Sequence, residues 1–193
     1  MTTAAFDGKL FATDKQVTSN NHASDRFARK LYFYPDYGLV LTVAGTAPSF
    51  IEVVDWAVGE IATEQRYSVP EGDFTVLAVR VTPGLPNMLY TGFRGPDNQC
   101  GHMEREYEKR TAIGSGGQFA LGAMAMKGSA VEAIEIAMDL DVYTGGGIDW
   151  FDTTTMDHSA DVIRRTLKTD WPTWVPPMSE PEVGEPENPE DEQ

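Results

Sequence analysis

Strand-like and helix-like segments come in blocks along this chain, and that order is what most limits its fold. Two β pairs open it. Thr2 to Phe6 and Lys9 to Thr13 flank Asp7-Gly8, a pair able to take the positive φ angles of a type I′ turn. Lys30 to Tyr34 and Leu39 to Val43 flank a Pro35-Asp36-Tyr37-Gly38 turn. The polar stretch Thr18 to Asp25 between them has no period and reads as loop. After Gly45 the pattern becomes helical: Phe50, Val54, Ala57, Val58 and Ile61 form one apolar stripe. Thr46 or Ser49 can cap this helix, Pro48 suits its first turn, and Ser49 with Glu52 has capping-box spacing. Phe74 to Val81 and Asn87 to Phe93 read as a third strand pair, joined through Pro83-Gly84-Leu85-Pro86. Gly114 to Gly117 then leads into a small-residue helix, Phe119 to Met126. Ser129 and Glu132 cap the next helix, on which Val131, Ile134 and Met138 share a face. A turn over Asp141 to Gly147, a strand near Ile148 to Phe151 and a short helix over Asp161 to Lys168 follow. Blocks of this kind predict an antiparallel, layered α+β fold over a doubly wound one.

Composition narrows the functions open to such a fold. The chain of 193 residues is long enough for one well-filled core, so one domain is expected over residues 1–170. Fifteen basic against 30 acidic side chains give a net charge of −15, which repels phosphate backbones and argues against nucleic-acid binding. Much of the acidic excess lies in the last fourteen residues, at Glu180, Glu182, Glu185, Glu187, Glu190, Asp191 and Glu192. With Pro181, Pro186 and Pro189 among them, the tail 171–193 reads as disordered and solvated, with an acidic docking tail as the alternative. No stretch approaches the roughly 18 apolar residues of a membrane span, and the first residues do not read as a secretory signal. The single cysteine, Cys100, excludes an internal disulfide and suits a reducing, cytoplasmic setting.

Several chemical motifs dissolve on inspection. The glycine loop at 114–117 precedes a helix, as phosphate-binding loops do, but no Gly-Lys-Ser/Thr follows it and no parallel-sheet pattern surrounds it. His22, His102 and His158 lie in unrelated contexts, and the Cys100–His102 pair falls short of a metal set, so no metal or cofactor is expected. Trp56 reads as helix–sheet core or contact surface, and Trp171 and Trp174 as a strap over the body or an exposed contact. Thr2 is more informative. Its side chain is small enough for methionine aminopeptidase to remove Met1, and an N-terminal threonine carries its own base. That base is the α-amine, with a reference pKa of about 7.7 to 8.0.

Five stretches in order carry a resemblance: Thr2-Thr3 with a hairpin ending in Ala12-Thr13-Asp14; Arg29-Lys30-Leu31; Val43-Ala44-Gly45; Ile113-Gly114-Ser115-Gly116-Gly117 with Ala120; and Asp141-Val142-Tyr143-Thr144-Gly145-Gly146-Gly147-Ile148. Together they resemble the proteasome β-subunit and HslV peptidase family of N-terminal-nucleophile (Ntn) hydrolases, and short HslV-like proteins of bacteriophages most closely. The resemblance implies an αββα sandwich and a threonine-type peptidase acting on unfolded polypeptide inside a homo-oligomeric ring. By the same resemblance Thr2 would be the nucleophile and its α-amine the general base. Lys30 would lower the pKa of the hydroxyl and the amine, and Asp14 would hold Lys30 charged. Gly45 N–H would receive the oxyanion, a contribution of roughly 3 kcal/mol in comparable sites. Ser115, Asp141 and Thr144 would fix the amine, and Val43 would line the pocket for the residue before the scissile bond.

Three departures stand against the family pattern. The first hairpin is short, although an even shortening keeps side-chain facing. Glu64 to Asp73 is too short and broken for the family's second helix, which weighs against an AAA+ unfoldase partner. The excursion from Leu85 to Arg110 is longer than the family explains. Two alternatives therefore stay open: a catalytically silent Ntn-fold assembly or interaction protein, and an amidohydrolase acting on a small amide.

Overall fold

Alternation on the first two strands separates two interfaces. On β1 (Thr3–Phe6) and β2 (Leu10–Asp14), Ala4, Phe6 and Phe11 turn to one side while Ala5 and Ala12 turn to the other. The computed structural model describes residues 1–19, 22–46, 49–82, 85–95, 99–106 and 110–166. The proposed acidic tail, Trp171 and Trp174 lie outside these residues, as do Pro48, Pro83 and Gly84.

The remaining elements are β3 (Val17–Ser19), β4 (His22–Asp25), β5 (Tyr32–Tyr34), β6 (Leu39–Thr46), α1 (Phe50–Thr63), β7 (Asp73–Arg80), β8 (Met88–Arg94), β9 (Cys100–Glu106), β10 (Thr111–Gly114), α2 (Gly117–Ala125), α3 (Ala130–Leu140), β11 (Ile148–Asp152) and β12 (Ile163–Arg164). A four-stranded sheet runs β10-β1-β2-β11 and a six-stranded sheet runs β12-β5-β6-β7-β8-β9. Every pairing in them is antiparallel except β12 with β5.

The sheets face each other across Ala4, Phe6, Phe11, Leu31, Phe33, Val40, Leu77, Val79 and Phe151. The opposite face of the six-stranded sheet, through Leu39, Leu41, Val43, Val76 and Ala78, packs on α1 through Val54, Ala57, Val58 and Ile61. Trp56 lies in that helix–sheet layer. Ala5 and Ala12 pack on α2 and α3 through Ala120, Ala123, Ala133 and Ile134. The result is the αββα sandwich, held by three apolar layers.

Local chemistry sets the ends. Ser49 caps α1 by accepting from Glu52 N at 3.3 Å, and Ser129 with Glu132 forms a reciprocal capping box on α3. Glu64 closes α1 in the left-handed region at φ 57, and no helix follows before β7. In the first hairpin the central turn residues are Gly8-Lys9, one place later than the Asp7-Gly8 reading. Asp7 N donates to Leu10 O, while Asp7 Oδ1 takes the Lys9 and Leu10 amides; Gly8 alone has positive φ there.

Four expectations change. The stretch read as loop over Thr18 to Asp25 holds β4 and most of β3, which pair antiparallel; β4 is exposed throughout, so no apolar alternation marked it. Beyond β8, which matches the strand read over Asn87 to Phe93, the unexplained 85–110 excursion holds β9, a partly exposed edge strand. Residues 161–166 hold no helix: Ile163 N donates to Leu31 O and Arg165 N to Phe33 O, adding β12 to the sheet. Phe50 is partly exposed and not part of the buried stripe.

Candidate active site

Asp14, the last residue of β2, has no exposed surface and gathers the site around itself. Its Oδ1 accepts from Lys30 Nζ at 2.8 Å and from Thr3 N at 2.9 Å. Its Oδ2 accepts from Gly145 N at 3.1 Å and Gln16 N at 3.2 Å. Lys30, just ahead of β5, is almost as deeply buried. Besides Asp14 it donates to Met1 O at 3.0 Å and to Gln16 O, so its three protons have three acceptors. Burial pushes the Lys30 pKa below the ordinary lysine range, and the Asp14 carboxylate pulls against that shift.

A second cluster lies on the α2–α3 side. Thr144 Oγ1 donates to Asp141 Oδ2 at 2.6 Å, and the Tyr143 amide donates to Asp141 Oδ1 at 3.1 Å. Burial opposes ionisation of Asp141, but the Thr144 bond, the nearby Ser115 hydroxyl and the Tyr143 amide outweigh it and hold its pKa below the usual carboxylate value. The Ser115 hydroxyl bears on that acidity from close by without a hydrogen bond of normal geometry.

Thr2 lies between the clusters, 4% exposed. Two pockets meet at Met1 and Thr2. One, of about 140 Å³, is lined by Gly45, Phe74 and Ser115; the other, of about 230 Å³, by Lys30, Val43, Gly45 and Phe50. Gly45 has φ +125, and a Cβ there would strike Asp73 O and press on Phe74 Cα. Burial first, and then the Lys30 charge, lowers the pKa of the Met1 amino group, against the pull of Asp14 and Asp141.

The fold therefore brings every sequence-predicted residue to one place: Thr2, Asp14, Lys30, Val43, Gly45, Ser115, Asp141 and Thr144. Sequence reasoning missed Gln16, Gly145 and the side chain of Thr3 as parts of the same network. Parity on β1 signals the last, since Thr3 shares a face with Ala5 toward the α2–α3 layer. Among the described residues no group of three His, Cys, Asp or Glu converges to hold a metal ion, and no helix is long and apolar enough to cross a membrane.

An αββα sandwich with a buried lysine–aspartate pair beside the threonine that leads into the first strand defines an Ntn-hydrolase fold. No family model matches the chain. Among curated proteins, it is 30% identical to the proteasome subunit beta of Methanococcus vannielii over 169 residues, 74% of this chain and 76% of that protein. It is 27% identical to that of Methanocaldococcus vulcanius over 170 residues, covering 74% and 75%. It is also 27% identical to that of Methanococcus aeolicus over 169 residues, covering 74% and 77%. The chain belongs to the proteasome β-subunit family and is a proteasome-like Ntn hydrolase.

Proposed function

We propose that the chain is an N-terminal-threonine endopeptidase, active once Met1 is removed, that cleaves unfolded polypeptide within a homo-oligomeric ring. The observation that carries this reading is the buried Lys30–Asp14 pair, whose ammonium also donates to Met1 O and so reaches the peptide that links Met1 to Thr2. The free Thr2 α-amine takes the proton from Thr2 Oγ, directly or through water. Oγ attacks the substrate carbonyl carbon, and the Gly45 N–H receives the oxyanion. The proton passes from the amine to the leaving nitrogen as the peptide bond breaks, leaving an ester on Thr2. Water, deprotonated by the same amine, attacks the ester and releases the second product. Val17, Ala28, Tyr32, Val43 and Phe50 on the larger pocket favour an apolar side chain before the scissile bond.

The relatives' name, subunit, supports assembly. The lack of a second helix after α1 leaves an AAA+ unfoldase outside the proposal. The absence of a disulfide-forming cysteine pair suits a cytoplasmic setting.

Intact mass before and after a peptide epoxyketone, a reagent that requires both the hydroxyl and the free amine, tests the mechanism. The expected result is a chain lacking Met1 that gains one adduct, with no adduct in Thr2→Ala, and a native mass several times 21.2 kDa. Loss of Met1 without an adduct would overturn the peptidase and favour a silent Ntn-fold scaffold. Turnover of small amides but not peptides would favour the amidohydrolase.

A further inference from the structure

Thr3 is fully buried and is the one side chain on β1 that reaches both halves of the α2–α3 side of the site. Its Oγ1 accepts from Gly116 N at 2.9 Å and lies 2.6 Å from Thr144 Oγ1. The direction of the second bond follows from proton counting. A threonine hydroxyl has one proton, and Thr144 gives its proton to Asp141 Oδ2. Thr144 can therefore only accept from Thr3, and Thr3 must donate. The chain runs from the Gly116 amide to Thr3 Oγ1, then Thr144 Oγ1, then the Asp141 carboxylate, each hydroxyl polarising the next.

Packing holds that chain closed. A Cβ at Gly116 would lie 2.8 Å from both hydroxyl oxygens and 3.0 Å from Ala137 Cβ, so the glycine is the space the two threonines occupy. The backbone of Thr3 is engaged as well. Thr3 N donates to the Asp14 oxygen that holds Lys30, and Thr3 O accepts from Thr13 Oγ1 at 3.1 Å. One residue thus touches the Lys30–Asp14 pair through its backbone and the Asp141–Thr144 pair through its side chain, immediately after Thr2.

We propose that Thr3 is a positioning residue of this site, whose hydroxyl couples the start of α2 to the Asp141 carboxylate and so fixes Thr2 between the two clusters. The consequence for turnover rests on the peptidase reading above; the hydrogen-bond coupling does not.

The test compares wild type, Thr3→Val and Thr3→Ser by amide and carboxyl NMR across a pH titration, with kcat and KM on an apolar peptide. In wild type the Gly116 amide signal should follow the titration of Asp141. In Thr3→Val that response should vanish, the Gly116 amide should exchange faster, and the Asp141 midpoint should move up. Turnover should fall about tenfold or more at nearly unchanged KM. Thr3→Ser, which keeps the hydroxyl, should behave as wild type. A Gly116 signal in wild type that is flat while Asp141 titrates would overturn the proposal without any variant. So would a Thr3→Ser protein with the full Thr3→Val phenotype, which would assign the effect to the lost methyl. A wild type that turns over no peptide would remove the peptidase reading, while the two NMR readouts would still decide the coupling.

Discussion

Four donors on one carboxylate with no exposed surface make Asp14 the residue whose surroundings are least free to change. Among the described residues its only salt-bridge partner is Lys30, and both are out of water, so removing one member leaves the other charge unpaired. Lys30→Ala should therefore cost about 3 kcal/mol in urea unfolding and abolish peptide turnover. Lys30→Arg should recover part of the stability and little of the activity. A planar guanidinium cannot present its donors to Asp14 Oδ1, Met1 O and Gln16 O as a compact ammonium does. An activity that survives Lys30→Ala would remove the lysine from the mechanism. Neither residue declares this role in the sequence, where Asp14 reads as a strand end and Lys30 as one charge in a basic cluster; only the family resemblance joined them.

At the scale of elements, α1 and the edge strand β9 are tied by a buried carboxylate. Glu60 Oε1 accepts from Trp56 Nε1 at 3.0 Å and Tyr67 N at 2.8 Å and meets His102 Nδ1 at 2.6 Å; Oε2 accepts from Met103 N at 2.8 Å. The tie holds the segment after α1, where no second helix forms, and the hairpin that the family pattern does not explain. Glu60→Ala should cost about 3 kcal/mol, because two backbone amides lose a buried acceptor. Hydrogen exchange should rise at Tyr67 and Met103 and stay unchanged at Gly116 across the molecule; uniform exchange rates would deny the tie. Glu60 was invisible beforehand, since a glutamate in a helix reads as solvated until the sheet lies over it. By contrast α1 and α3 were legible from their caps and apolar spacing, and β6 to β8 from their β-branched and aromatic runs.

For the whole molecule, Asp149 on β11 ties the four-stranded sheet to the segment that leads into β12. Its Oδ1 accepts from Ser159 Oγ at 3.0 Å and lies 3.8 Å from Lys15 Nζ, while Oδ2 is buried with no hydrogen-bond partner among the described residues. Lys15 also pairs with Asp161, near β12. Burial pushes the Asp149 pKa up, against the Ser159 bond and the Lys15 charge. A carboxyl whose folded pKa is raised binds its proton more tightly when folded. Its contribution to stability is therefore full below the ordinary carboxylate value of 3.8 and is lost as pH rises through the folded value. The stability of wild type relative to Asp149→Asn should accordingly decline as pH rises above the ordinary carboxylate value of 3.8, read from paired thermal melts. A difference that is flat or grows with pH would contradict it.

The sequence by itself determined the block order of strands and helices, the helix caps and the side-chain parity that splits the first hairpin between two interfaces. These are set by bonds and spacings within a few residues. Only the tertiary structure decided that β3 and β4 pair with no apolar face to announce them, and that Ile163 and Arg164 extend a sheet instead of a helix. It alone also decided that Thr3, Gly116, Thr144 and Asp141 form one directed chain. Those features join residues as far as 141 positions apart, and a polar side chain carries no local sign of which distant partner will replace its water.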